Sequence, residues 1–339
     1  MKTISFAIPC YNSAAYMEKC IESVLSCGDD IEILIVNDGS TKDNTSEIAH
    51  AYEERYPGIV RAIDQENKGH GGAVNHGLEE ASGLYFKVVD SDDWLDVDAM
   101  KELMAYLRTQ AKEESPCDLV IANYIYDKVD EGKKTVMSYT NVFPTDKLFT
   151  WEKIGRFRPS QYLLMHSVFY RTQVLKDARV QLPEHCFYVD NIFVYVPLPH
   201  VQTIRYFNLD VYHYYIGRED QSVNEKIMLS RIDQQLRITR FMIDEVDLEE
   251  VSSEKLRAYM YNYLSMMMCI CSVFLRMEPT EENEQKRSKI WEYLRSQRPG
   301  MYAKVRGNIV NFTTNFPSPV GRALALGGYH VAQKIFKFN

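Results

Sequence analysis

A chain of 339 residues with 45% hydrophobic, 25% charged and 12% aromatic residues has the make-up of a folded globular protein, which excludes disorder and fibrous repeats. The length suits one large domain or two ordinary ones, either able to bury a substantial core. A net charge of −8 excludes a nucleic-acid binder held by a general basic field, yet the acidity stops at Glu292: beyond it stand seven basic residues and no acidic one.

The first 95 residues alternate strand and helix signals. Residues 4–8 form a short apolar run stopped by Pro9, and 14–26 carry Tyr16, Cys20, Ile21, Val24 and Leu25 at helical spacing. The β-branched run 31–36 reads as a strand buried on both faces. A helix is expected from Asp43 to about Arg55, with Asp43 or Thr41 as its N-cap. A strand at 59–63, a helix at 72–81 and a strand at 84–89 follow. Such a βαβαβαβ series with short joints predicts a parallel, doubly wound sheet. Next come a helix at 97–112, an apolar run at 118–126 and its hairpin partner at 135–139. Strands are expected at 166–171 and 201–216, with a short helix at 189–196 between them. From about 225 the signals are helical, at 226–246, 253–276 and 280–297. The uncharged stretch 258–275 borders on the length of a membrane span, but its three Tyr, one Asn and two Ser point to a buried core helix. Trp94 and the run Met266–Met268 read as core.

Seven scattered cysteines offer no zinc spacing and no disulfide framework, so reduced thiols in the cytoplasm are expected. The N-terminal MKTISFAIPCYN lacks the apolar core and cleavage site of a secretory leader.

In an open parallel sheet, ligands bind beyond the carboxyl ends of the strands. Four polar clusters fall there: Pro9-Cys10-Tyr11-Asn12, Asn37-Asp38-Gly39-Ser40, Asp64 to Gly69, and Asp90-Ser91-Asp92-Asp93. Tyr11 supplies a ring on which a base stacks. Asp38 is an acceptor for a ring N–H, as uracil presents, and Gly39 allows the close approach this needs. Lys68 balances phosphate charge, while Gly69, Gly71 and Gly72 admit the backbone to it. The trio Asp90, Asp92 and Asp93 is a hard-oxygen set suited to Mg²⁺ or Mn²⁺; the same acids would also serve as first-turn caps of the helix at 97.

PCYNSAAYMEKCIESV, EILIVNDGSTKDNT, NKGHGGAVNHGLEEASGLYFKVVDSDDW and FYVDNIF together resemble a family 2 glycosyltransferase of the GT-A fold, strongly over 3–98 and weakly to about 225. The resemblance implies an α/β catalytic domain at 1–225, with 1–98 the nucleotide-binding half and 99–225 the acceptor-side half. A helical region at 226–339 follows, with its basic tail at 293–339. It implies a nucleotide-diphosphate-sugar donor, UDP favoured, a cation (Mn²⁺ or Mg²⁺) held by an Asp-x-Asp motif, and inversion at the anomeric carbon. Pro9, Tyr11, Asn12 and Asp38 match nucleoside-binding positions; Lys68, Gly69 and Asn75 match the segment lining the donor. Asp90, Ser91 and Asp92 match the Asp-x-Asp motif, with Asp92 the expected direct ligand and Asp90 or Asp93 beside it. Asp190 inherits the catalytic base, although Val189 replaces the first acid of the family's usual pair, and Asn37 stands where the family commonly has Asp. The segment YHYYIGREDQSVN resembles the one that closes the donor site, where His213 or Arg218 would face the diphosphate or metal. His166, His185 and His200 show no ligand spacing and receive no role.

A saccharide or lipid-linked acceptor is expected, in surface polysaccharide synthesis. Val320, Leu324, Leu326, Val331, Ile335, Phe336 and Phe338 interleave with Arg322, Lys334 and Lys337, a pattern that suits an anionic membrane surface on the cytoplasmic side. Two rivals differ by sequence. A sugar-nucleotide nucleotidyltransferase should carry a Gly- and Arg-rich loop after its first strand, where Pro9-Cys10-Tyr11-Asn12 stands. An inactive scaffold would be expected to lose the aspartates that remain here.

Overall fold

The computed structural model describes residues 2–145, 147–158, 161–217, 225–316, 321–323 and 326–327. The chain divides into two compact units, Met1–Arg156 with Leu163–Gly217, and Phe157–Tyr162 with Arg218–Asn339.

The first unit runs β1 (Ile4–Cys10), α1 (Met17–Leu25), β2 (Ile31–Asp38), α2 (Thr45–Arg55), β3 (Val60–Gln65), α3 (Gly69–Glu80), β4 (Tyr85–Val88), β5 (Trp94–Leu95), α4 (Val97–Gln110), β6 (Leu119–Lys128), β7 (Lys133–Met137), β8 (Leu148–Phe149), β9 (Val168–Arg171), α5 (Thr172–Asp177), α6 (Asp190–Tyr195) and β10 (Ile204–Tyr215). Its sheet has the order β3-β2-β1-β4-β9-β6-β10-β5, with β7 on β6 and β8 on β10. The first four strands pair in parallel. Every residue of β1 and β2 is buried, which is why both read as unbroken apolar runs. The other half is mixed: β9 runs antiparallel to both β4 and β6, while β6 and β10 are parallel. The fold is thus a mixed α/β sheet whose parallel part is the N-terminal half, β1 to β4. A register break between Phe207 and Tyr212 kinks β10.

Two buried carboxylates inside this sheet are paired. Glu32, 6% exposed, accepts from Ser5 Oγ at 2.5 Å and from Ser82 N at 2.9 Å. Asp118 ties three strand ends together. Its Oδ1 accepts from Arg171 Nη2 at 2.7 Å, and its Oδ2 from the backbone N–H groups of Gln202 at 2.9 Å and Thr203 at 3.0 Å. Breaking such a buried pair leaves the guanidinium and two N–H groups unsatisfied. Asp118→Ala should therefore cost about 3 kcal/mol or more, read as a lower urea midpoint at unchanged m-value.

The second unit is helical: α7 (Glu225–Ser230), α8 (Ile232–Glu245), α9 (Glu254–Met277), α10 (Glu281–Gln297), α11 (Pro299–Gly307) and α12 (Ile309–Thr314). α9 is long and apolar enough to cross a membrane by length and composition, and two thirds of its apolar window is buried within the fold. It packs against α8, α10, α11 and α12, as its apolar sequence anticipates. Phe157 stacks on Tyr259 at 4.1 Å and Tyr162 meets Tyr263 at 5.4 Å, which draws a short piece of the earlier chain into this unit.

Candidate active site

The polar clusters meet at the carboxyl edge of β1, β2 and β4. Asn12, at φ 50°, occupies the left-handed region that Asn tolerates better than most residues. Its N–H donates to Ser40 Oγ at 2.9 Å, and its Oδ1 accepts from the N–H groups of Thr41 (3.2 Å) and Lys42 (3.0 Å). The turn after β1 thereby fixes the turn after β2. Tyr11 beside it is 50% exposed, an open ring face at this rim.

Asp38, at the end of β2, is 3% exposed. Its Oδ1 accepts from Gln65 Nε2 and from Lys68 N, both at 2.7 Å, and Oδ2 has no partner among the described residues. Gly39 sits at φ +70°, and a Cβ there would lie 2.9 Å from Asn67 N, so glycine alone fits. Asn37 in turn donates to Asp64 Oδ1 at 2.7 Å, a contact that an aspartate at 37 would turn into repulsion.

Beyond β4 lies a cluster of acids and imidazoles. Asp90, Asp93 and His166 each bring a ligand atom within 4.8 Å of the others. Asp90 Oδ1 meets His70 Nε2 at 2.7 Å, and Asp90 Oδ2 lies 3.8 Å from His166 Nε2. The latter spacing is too long for a hydrogen bond, yet shorter than two metal–ligand bonds of about 2.1 Å laid end to end. His166 is 7% exposed, wedged among Tyr124, Tyr212 and Tyr214, and its Nδ1 is buried without a hydrogen-bond partner. Asp93 is buried; Tyr212 Oη donates to its Oδ2 at 2.6 Å and Tyr215 N to its Oδ1 at 2.8 Å. Two carboxylates and the His166 imidazole form a donor set that fits a divalent cation.

The charges of this cluster shape one another. Burial, and then the charges of Asp92 and Asp90, push the Asp93 carboxyl well above its usual range. Burial would do the same to Asp90, but His70 and His166 override it and hold Asp90 ionised. Burial alone would lower the His70 imidazole, whereas its contact with Asp90 raises it. Beneath them Lys87 is wholly buried, donating to the carbonyls of Met165 (2.7 Å) and His166 (2.8 Å). Burial pulls its ammonium down to about 7, against the pull of Asp90 and Asp93. Lys87 thus fixes the backbone that carries His166.

The third wall is the 182–190 segment. Gly69 (φ +75°) lies so close to it that a Cβ would stand 2.9 Å from His185 N, and one on Gly71 would stand 2.5 Å from Pro183 O. His185 (φ 49°) and Tyr188 (φ 66°) both adopt left-handed backbone, a conformation that costs roughly 1–3 kcal/mol per non-glycine residue and concentrates at functional sites. Lys68 Nζ approaches Glu184 at 3.7 Å with both side chains half exposed. Asp190 opens α6 at the end of this wall, near enough to the cluster to feel His166, His70 and Asp90. Burial lifts its carboxyl above the usual range and Asp90 adds to that, while the two histidines oppose it.

Pro9, Tyr11, Asn12, Asp38, Asp90 and Ser91 fall at or just beyond the ends of β1, β2 and β4, and Lys68 and Gly69 at the start of α3. Ser91 Oγ shares a hydrogen with Ser13 Oγ at 2.8 Å. Asn75 gives both ends of its amide to the backbone of Leu182, each at 2.9 Å, and so clamps the 182–190 wall. One expectation needs correction. His213 does not join the acid cluster. It pairs with Asp127 at 2.8 Å, stacks on Trp94 at 5.1 Å, and lines a separate cavity of about 530 Å³ with Asp96, Asn123, Lys134 and Asp210. Trp94 is accordingly half-buried between His213 and Lys19, whose Nζ sits 2.9 Å from its ring centre. Arg218 lies outside the described residues. Asp92 is half-buried beside the trio without being one of it. His70 and His166 were missed by spacing. Only the buried, aromatic-flanked setting of His166 marks it out.

The pattern that defines glycosyl transferase family 2 matches residues 5–173, about half of the chain. The chain is 30% identical over 222 residues to the putative glycosyltransferase EpsH of Bacillus subtilis, a match covering 63% of this chain and 60% of EpsH. The fold is similar to that of S. aureus TarS 1–349 solved with UDP-GlcNAc (TM-score 0.67, 17% identity, 99% of this chain and 92% of that one). It is also similar to the mannosyltransferase PcManGT of Pyrobaculum calidifontis solved with GDP-Man and Mn²⁺ (TM-score 0.54, 13% identity, 96% and 86%). At these identities the two structures establish a GT-A type of fold.

Proposed function

The chain belongs to glycosyl transferase family 2, and on that premise we propose that it moves a sugar from a nucleotide-diphosphate donor, UDP-linked by preference, to a hydroxyl of a saccharide or lipid-linked acceptor, with inversion. One observation carries this reading: a buried carboxylate at the end of β2 and an Asp–Asp–His cluster beyond β4 face the same edge of one sheet. The free Oδ2 of Asp38 suits the ring N–H of uracil, with Tyr11 as the stacking face. Asp90, Asp93 and His166, with Asp92 beside them, would hold Mn²⁺ or Mg²⁺. When bound, that ion supplies Lewis-acid neutralisation of the diphosphate. Lys68 adds a point charge on the same side.

Asp190 acts as base. It takes the proton of the acceptor hydroxyl as that oxygen bonds to the anomeric carbon; the bond from this carbon to the phosphate oxygen breaks, and its electron pair leaves with the nucleoside diphosphate. A carboxyl whose pKa is raised by burial suits this role better than an ordinary surface aspartate. On this reading 1–98 bind the nucleotide, 99–225 face the acceptor, and the enzyme works in the cytoplasm at the inner face of the membrane.

A thermal-unfolding screen of UDP- and GDP-sugars with and without Mn²⁺ tests the proposal. A ligand at 100 times its dissociation constant adds about 2.7 kcal/mol to the native state. A UDP-sugar with Mn²⁺ is expected to give the largest rise in unfolding midpoint. A protein indifferent to every nucleotide sugar under both conditions would not be this enzyme.

A further inference from the structure

α12 is built inside out. Its inward side chains are polar: Asn311, Thr314 and the following Asn315 are 0%, 6% and 5% exposed. Asn311 Nδ2 donates to the carbonyls of Ser265 (3.0 Å) and Val305 (3.1 Å), and Asn315 Oδ1 accepts from Arg287 Nη1 at 2.8 Å. Arg276 closes the end, donating to Thr314 O at 2.6 Å and Phe316 O at 3.1 Å. Its outward side chains are apolar: Ile309, Val310, Phe312 and Phe316 are 72%, 45%, 51% and 45% exposed. Four of the eleven exposed large apolar side chains among the described residues thus fall within eight positions. Scattered exposed apolar residues are ordinary, but a patch backed by a polar seam is not.

A helix of this length has little stability of its own. Here the arginine and asparagine network holds it in the orientation that turns its apolar side outward. The flanking chain is basic. Arg295 and Lys304 are exposed, Arg295 at 3.7 Å from Glu292 and Lys304 over the Tyr261 ring at 4.9 Å; Arg306 is half-buried with its guanidinium at the carbonyls of Asn311 and Asn315, and no acid follows Glu292. Apolar side chains outward, on a stretch of chain whose charges beyond Glu292 are all positive, match an anionic bilayer surface, where the first enter the acyl boundary and the second meet headgroup phosphates.

We propose that α12 is a membrane-contact element, docking the protein on anionic phospholipid through Ile309, Phe312 and Phe316 with Arg295 and Lys304 on the headgroups. The inference rests on residues 295–316 and does not depend on the sugar-transfer reading.

Sedimentation of the full chain with phosphatidylglycerol/phosphatidylcholine vesicles, against phosphatidylcholine alone, tests it. Binding is expected to the anionic vesicles and to be lost near about 0.5 M salt. Ile309→Ser with Phe312→Ser should weaken it about thirtyfold, and Arg295→Gln and Lys304→Gln about fivefold each. The unfolding midpoint of the serine double variant should match the parent, because both side chains are exposed. Three results would each overturn the assignment: no binding to anionic vesicles, binding that survives the serine substitutions, or self-association of the parent that those substitutions abolish while vesicle binding stays absent.

Discussion

Asp190→Asn is expected to lower turnover by about 10³-fold while leaving sugar-nucleotide affinity within a factor of two or so of the parent. The amide keeps the shape of the carboxylate and removes its basicity, so what is lost is proton abstraction from the acceptor. The pH profile carries the same information with a definite sign. A base works only when deprotonated, so activity falls as pH drops through its pKa. Burial and the neighbouring Asp90 raise the Asp190 carboxyl, so with Asp190 as the proposed base the acid limb of kcat/KM should lie above the pH at which an ordinary aspartate titrates. His70 and His166 pull the other way; His70→Gln, which removes one of those cations, should shift the limb further up in pH. Steady-state kinetics across pH, with donor binding measured separately by calorimetry, check both expectations. Near-parental turnover in Asp190→Asn would remove this residue from the base role.

The N-terminal half of the fold is legible because its signals are local. β1 and β2 are buried on both faces and appear as continuous apolar runs, and the NDGS turn stands out as an acceptor paired with a glycine at φ +70°. What local signals do not contain is pairing between distant segments. β9 inserts antiparallel between β4 and β6, and nothing in residues 168–171 announces it. His166 arrives at the cluster by that route, from the short turn just before β9, held by a lysine buried in β4.

The misplacement of His213 has a simpler cause. Along a strand, neighbours point to opposite faces. Tyr212 and Tyr214 touch His166 on the cluster side, so His213 between them must face Asp127 and Trp94. The period of two in the YHYY sequence already contains this, once one of the tyrosines is known to face the acids. Asn75 shows a different limit. Its amide also serves the backbone of the site's wall through two 2.9 Å contacts to Leu182, a partner 107 residues away that its local sequence does not announce.

Asp90→Asn is the substitution expected to do most harm to cation binding, a loss of about 100-fold or more in Mn²⁺ affinity measured with UDP present. Asp90 is the member that His70 and His166 keep ionised, and it is the carboxylate whose two oxygens face two different imidazoles. The asparagine removes the charge and leaves His70 without its anionic partner. His166→Ala should cost roughly tenfold or more in the same titration, because it takes away the imidazole that completes the Asp90–Asp93–His166 set. Asp92→Ala supplies the comparison, since the motif alone points to Asp92 as the ligand, whereas the geometry brings Asp90, Asp93 and His166 together. Calorimetric titration of Mn²⁺ into each variant, without any turnover, ranks the three. The order Asp90, then His166, then Asp92 is expected. A loss larger for Asp92→Ala than for His166→Ala would return the ligand role to Asp92 and reduce His166 to packing among its tyrosines.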